Sequence, residues 1–321
     1  MLFNRYIEIK ELPSGFEGKI DYFFVGPCVD DRSKKVYEEF KPNMSGKLIS
    51  ISYNIENEKF LLEEVQELQE KLDTDRIDAE GCNLLPDFIT QIENLDINNK
   101  VILLDATSLM HPLLFYFIKV LRQYFTPKNL FICYTEPKKY KQKDNSFINQ
   151  SFDLTEKFCD RSSLPGFLTL SRNKKNRLLV AIMGFEGNRF SKTFEEVNPT
   201  VRKTMAIVGF PSFHPSWQYY VYSQNREVLE QSKAYLSIYR ASAFEPFEVY
   251  NILDAIKKNN PDNDIIVAPL GTKPHSIGAC MFCIDNEDVS LHYDYPFFGK
   301  KIRTDGIGKS YIYNLSSFIN E

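Results

Sequence analysis

Short apolar runs recur along the chain, separated by stretches whose apolar residues return at helical spacing. Six runs are solidly apolar with no helical period: 20–25 (IDYFFV), 101–105 (VILLD), 129–137 (NLFICYTEP), 178–183 (LLVAIM), 205–210 (MAIVGF) and 264–268 (DIIVA). That pattern predicts strands buried on both faces. The run 48–54 (LISISYN) alternates, and it predicts a further strand, as do 234–239 (AYLSIY) and 289–295 (VSLHYDY). Residues 1–19 predict an edge strand and a turn around Pro13, Ser14 and Gly15. Helices are predicted over 32–41, 86–95, 111–124, 190–197, 219–233 and 245–258. Another is predicted over 58–72, with Leu61, Leu62, Val65, Leu68 and Leu72 on one side. From Ser276 onward the residues are small or apolar all round, so the helix there is predicted to be buried.

Alternation of buried strands with helices predicts an α/β fold, two Rossmann-like subdomains with mainly parallel sheets. Residues 137–177 break the alternation with the basic, polar segments PKKYKQKDNSFINQ and SRNKKNR and the turn Leu164-Pro165-Gly166. The domain boundary is expected there, giving an N-terminal domain over 1–150 and a C-terminal domain over 151–321. The tail is predicted to return through a Gly-rich basic loop to one more edge strand.

A repeat accompanies the two halves. KVILLDATSLMHPLLFYFIKVL and DIIVAPLGTKPHSIGACMFCI each read strand, polar turn, x-Pro, helix. Each then reaches a strand ending on an aromatic, an acid and a proline. Either any two βαβ units look this alike, or the halves are related by a pseudo-dyad. In the second case the ligand site would lie between Thr107-Ser108 and Thr272-Lys273.

Composition narrows the function classes. With 321 residues, 43% apolar and 26% charged, the chain can build two ordinary cores. A net charge of −4 argues against non-specific DNA binding but allows a local basic pocket. No run of about 18 apolar residues exists to span a membrane, and MLFNRYIEIK lacks a signal-peptide core. The expectation is a cytoplasmic protein with no membrane partner. Cys28, Cys133, Cys280 and Cys283 lie in apolar segments and read as buried thiols. The Cys280-x-x-Cys283 pair falls inside a predicted helix and has no second pair at zinc spacing, so neither a metal site nor a cofactor is expected.

Candidate chemistry gathers at strand ends, where doubly wound sheets bind ligands. After the strand at 264–268, Gly271-Thr272-Lys273 turns the chain and Pro274 suits a first helical position. Backbone N–H groups, the Thr272 hydroxyl and Lys273 could hold a phosphate there. A plain strand-to-helix turn is the alternative, with Lys273 solvated or paired to Asp294 or Asp305. The pattern is not a Walker P-loop. Asp30, Asp31, Arg32, Glu186, Asn188, Arg189 and His214 are candidates by position without forming a catalytic set. His214 and Trp217 either stack on a base or staple their loop to the core. Lys300, Lys301, Arg303 and Lys309, interleaved with Gly306 and Gly308, either fold over an anion or form a solvated loop.

The sequence V-A-P-L-G-T-K-P-H, after a strand and opening a helix, resembles the strand–G-G-T-K–helix signature of CRISPR-associated Rossmann-fold (CARF) sensing domains and related antiviral-signalling sensors. The resemblance covers about 178–296, and Leu270 stands where the family often has its first glycine. It implies a cyclic oligonucleotide or other nucleotide ligand, with Gly271, Thr272 and Lys273 on its phosphates. The earlier turn would be Gly209, Phe210, Pro211 and Ser212, or Gly184 and Phe185. A partner protein would carry the effector activity, in a bacterial antiviral defence system. Two other readings remain open: an enzyme acting on a nucleotide or nucleic-acid phosphate through Asp30, Asp31 or Glu186, and a non-catalytic scaffold subunit.

Overall fold

A computed structural model describes residues 7–8, 19–26, 31–54, 59–65, 85–140, 155, 157–158, 164–169, 176–297 and 304–320. The chain divides into two compact units, Met1–Tyr140 with Gly299–Glu321, and Lys141–Phe298. The first unit opens with β1 (Ile7–Glu8), β2 (Ile20–Val25), α1 (Asp31–Phe40), β3 (Met44–Asn54) and β4 (Lys59–Val65). It continues through α2 (Leu85–Glu93), β5 (Val101–Asp105), α3 (His111–Tyr124) and β6 (Asn129–Tyr140). The second unit begins with β7 (Lys157–Phe158), β8 (Arg177–Ile182), α4 (Gly187–Val197) and β9 (Thr204–Gly209). Next come α5 (Trp217–Gln224), α6 (Arg226–Ser232), β10 (Ile238–Ala241) and α7 (Pro246–Asn259). β11 (Asp264–Pro269), α8 (Lys273–Asp285), β12 (Ser290–Leu291) and β13 (Pro296–Phe297) complete it. The chain then returns to the first unit as β14 (Thr304–Asn314) and α9 (Ser316–Asn320).

The first sheet has the order β1-β14-β6-β5-β2-β3-β4. Its four inner strands, β6-β5-β2-β3, are parallel, and the flanking pairs β3–β4, β14–β6 and β1–β14 are antiparallel. All five strands of the second sheet, β10-β9-β8-β11-β12, are parallel. β13 and β7 form a separate two-stranded ribbon. Both sheets are thus mainly parallel and flanked by helices, the expected Rossmann-like α/β class. The apolar runs explain them: every residue of VILLD is buried, as are residues 178–182 of β8.

Three expectations change. Lys59–Val65 is a strand, not part of a helix: it pairs antiparallel with β3 from Leu48↔Val65 to Asn54↔Lys59. The ladder satisfies backbone groups that an exposed charged helix would leave to its own turns, and Lys47 reaches Glu64 at 2.7 Å on the outer strand. Residues 66–72 lie outside the described residues. The tail belongs with the first unit, not with 151–321, because β14 pairs with β6 along Thr304–Asn314. Gly306, Gly308 and Lys309 therefore sit in a strand, with Lys309 N–H donating to Glu136, while Lys300, Lys301 and Arg303 lie outside the described residues. The helix expected over 219–233 is two helices meeting at Asn225, and Ala234–Leu236 is a 3-10 turn ahead of β10. Among the described residues, no helix is long and apolar enough to cross a membrane.

Candidate functional site

In the second sheet the chain steps from β8 outward to β9 and β10, then crosses back to β11 on the other side of β8. The order reverses between β8 and β11, and in open α/β sheets ligands bind beyond the carboxyl ends at such a reversal. Two turns meet there: Met183-Gly184-Phe185 after β8 and Leu270-Gly271-Thr272 after β11. They touch backbone to backbone, for Leu270 N–H donates to Ile182 at 3.0 Å and a Cβ on Gly184 would fall 2.1 Å from the Leu270 carbonyl oxygen. Only glycine permits that approach.

α8 starts at Lys273, so Pro274 is its second residue rather than its first, still within the turn that tolerates proline. Thr272 caps it. The Thr272 hydroxyl donates to the Ala243 carbonyl at 2.7 Å and accepts from His275 N–H at 3.4 Å. Ser276 N–H goes to the Thr272 carbonyl at 3.0 Å. The expected use of the Thr272 hydroxyl and of the amides beyond Pro274 as phosphate donors is therefore corrected: both serve the cap. Upstream of the cap, Gly271 and Thr272, with Lys273, are half-buried. The helix behind them is buried from Pro274 to Ile284, including Cys280 and Cys283, which form no disulfide.

His275, fully buried, donates through Nε2 to the Ser242 carbonyl at 2.9 Å. Burial pushes its pKa down to about 4, so the ring is neutral at physiological pH. Its Cε1 also lies 3.6 Å from where a Gly209 Cβ would sit, which ties the end of β9 to the start of α8. Phe210 projects outward at 47% exposure, with the Arg240 guanidinium 5.6 Å from its ring centre. Ser212 Oγ lies 2.6 Å from the His214 carbonyl and 2.7 Å from Gln218 Oε1, so its proton is committed within its own loop. The His214 ring lies tilted at 51°, 4.5 Å from the Trp217 ring, which meets Phe185 edge-on at 5.4 Å; the contacts tie the loop to Phe185.

Charge at this edge is buried and paired. Arg189 holds Asp294 bidentately, Nε to Oδ2 at 2.7 Å and Nη2 to Oδ1 at 2.6 Å, with Asp294 fully buried. Burial opposes the guanidinium charge, but Asp294 outweighs it and raises the arginine pKa. Asp294 is thus the bidentate partner of Arg189. Glu186 accepts both the N–H and the hydroxyl of Thr155 at 2.8 Å and lies 4.0 Å from Arg189. These contacts fix the Glu186 side chain beside Thr155 and Arg189. Asn225, which sequence reading passed over, donates to the Gly184 carbonyl at 2.9 Å and so fixes the turn after β8. Its signal was an asparagine inside a helical pattern.

Thr107 and Ser108 belong to the first unit, after β5, at the reversal between β2 and β5. Thr107 is buried, its N–H donates to Asp105 at 2.9 Å and its hydroxyl accepts from Thr135 N–H at 3.0 Å. Arg32 donates to the Thr135 carbonyl and Asp31 opens α1, while Asp30 lies outside the described residues. Among the described residues no three His, Cys, Asp or Glu side chains gather as metal ligands would.

No protein-family model matches the chain, and a search of curated proteins finds no significant relative.

Proposed function

We propose that the second unit is a sensing module for a nucleotide-derived anion, bound over the turn Gly271-Thr272-Lys273. The observation that carries the reading is topological: this half-buried turn lies where the strand order reverses between β8 and β11. The positive end of the thirteen-residue helix α8 favours a negative group there. Lys273 adds a full charge. Gly209 and Phe210 form the neighbouring turn, with Phe210 half-exposed beside the Arg240 guanidinium and available to a base. Since Glu186 and Asp294 are committed to structural partners, the reading is binding rather than turnover. In this reading the chain is a CARF-like sensor in the cytoplasm, for a cyclic oligonucleotide or related nucleotide, and a partner protein of a defence system supplies the output.

Native mass spectrometry of the purified chain, followed by titration with pyrophosphate, AMP and cyclic oligonucleotides, tests it. Lys273→Ala is expected to weaken the best of these about 10- to 150-fold, the worth of one charge-assisted bond. If none of the probes binds, or if the variant unfolds earlier and binds equally well, the reading fails.

A further inference from the structure

The two edges of the second sheet differ. At the β12 edge a strap covers the strand: Leu291 N–H donates to Phe167, Thr169 N–H donates to Ser290 Oγ at 3.0 Å, and Thr169 Oγ1 reaches the Glu287 carbonyl. At the other edge lies β10. Its Ser237 and Ala241 carbonyls accept from Ala206 and Phe210 N–H of the β9 side. By the two-residue period of a strand, the N–H and C=O groups of Ile238 and Arg240 point the opposite way, out of the sheet. Among the described residues no backbone group pairs with them there. The approach is apolar, with Tyr235 at 49% and Leu236 at 61% exposure in the turn leading into the strand. Between Gln231 and Phe244 the chain carries Lys233 and Arg240 and no acid. Arg240 is exposed and braced against the Phe210 ring.

We propose that the β10 edge is a docking site for an extended segment of another protein, with acidic side chains alternating with apolar ones. The segment would add a sixth strand through Ile238 and Arg240, main chain to main chain. Charge complementarity selects this occupant. An acidic side chain opposite or diagonal to Arg240 gains a cross-strand pair, whereas a second copy of this chain using the same two outward residues would bring two Arg240 side chains onto one face within about 8 Å. A lone edge cation is also how sheets resist self-pairing. Here it disfavours a second copy, and the exposed Tyr235 and Leu236 give an acidic–apolar strand a surface to cover.

Hydrogen exchange of the full chain provides the test, with a capped Thr-Val-Glu-Val-Glu-Val-Thr peptide and its counterpart with lysine in place of glutamate, each at millimolar concentration. The acidic peptide is expected to slow exchange at the Ile238 and Arg240 amides, and the lysine peptide is not. Arg240→Glu, at an exposed position, is expected to reverse the preference by about fivefold without changing the melting temperature. Equal protection by both peptides, or by neither, overturns the proposal. So does protection of these amides in the free protein: if it rises with protein concentration the occupant is a second copy, and if it does not, the chain covers its own edge.

Discussion

The two units share a seam and then part. In each, the first parallel strand ends on a glycine pressed against the turn across the strand-order reversal. A Cβ on Gly26 would lie 2.8 Å from Leu109 N and 2.9 Å from Ser108 Oγ, and one on Gly184 would lie 2.1 Å from the Leu270 oxygen. Beyond the seam, the turn of the first unit is more closed: Ala106, Thr107 and Leu109 are buried, Ser108 between them is half-buried, and the Thr107 hydroxyl is taken by Thr135 N–H. The turn of the second unit keeps Gly271, Thr272 and Lys273 half-buried on a frame of buried polar groups, Arg189, Asp294, His275 and Asn225. The strand order reverses twice, and under the binding reading proposed above the less buried turn of the second unit is the one a ligand would reach.

The largest effect is expected from breaking that frame. Asp294→Ala leaves the Arg189 guanidinium buried without its bidentate partner, a change that costs about 3–5 kcal/mol. Urea unfolding should show the loss, and hydrogen exchange should place it in 177–295. A loss below about 1 kcal/mol would mean that the pair is no more than a surface bridge and that the frame is held by packing.

His275 makes the second unit sensitive to acid. Its folded pKa is about 4 against an ordinary value of 6.5. Above pH 6.5 both states are neutral and the residue contributes no pH dependence. As pH falls from 6.5 to about 4, the unfolded chain takes a proton that the folded one refuses, and stability falls. Below about 4 both states are protonated and the loss levels off near about 3 kcal/mol. His275→Gln, which keeps a donor for the Ser242 carbonyl, should flatten that part of the stability–pH curve. A curve that stays unchanged assigns the acid sensitivity elsewhere.

The seam itself can be compared directly. Gly184→Ala forces a methyl to 2.1 Å from a backbone carbonyl oxygen, and Gly26→Ala brings one less deeply against Leu109 N and Cα at 2.8 and 2.9 Å and the Ser108 hydroxyl at 2.9 Å. The first should cost about 3 kcal/mol and the second about 1 kcal/mol, the two ends of the range for overpacking. Melting of the two variants side by side checks the order. Equal losses would show that the two reversals are equally tight.

Much of this was legible where the signal is local. VILLD and LLVAIM are apolar because parallel strands are covered on both faces, and the unit β11–Gly271–α8 is contiguous in the chain. Lys59–Val65 misled because Leu61, Leu62 and Val65 fit helical spacing, while what makes it a strand is its ladder with β3. The tail misled for the same reason: Tyr311 pairs with Tyr134, far back in the chain, and nothing in its own composition records that. The frame of the site was hidden likewise, since Arg189 and Asp294 meet across 105 residues. Exposure was hidden as well. Thr107-Ser108 and Thr272-Lys273 read alike in sequence, and only packing separates them.

The smallest effect bears most closely on how a ligand would be held. Thr272 carries two bonds through one hydroxyl, to the Ala243 carbonyl and from His275 N–H. Thr272→Ala removes both, and loss of a helix cap of this kind costs about 1 kcal/mol. Thr272→Ser keeps the hydroxyl and should restore most of that stability. Because the hydroxyl already serves the cap, neither a phosphate nor pyrophosphate depends on it directly. Thr272→Ser should therefore bind pyrophosphate as the parent does, and Thr272→Ala should bind it only slightly less well, through a looser turn. Titration of the two variants beside Lys273→Ala separates the contributions. A loss of binding in Thr272→Ala as large as that in Lys273→Ala would mean that the hydroxyl leaves its cap to reach the ligand, and that the open turn rearranges when it is filled.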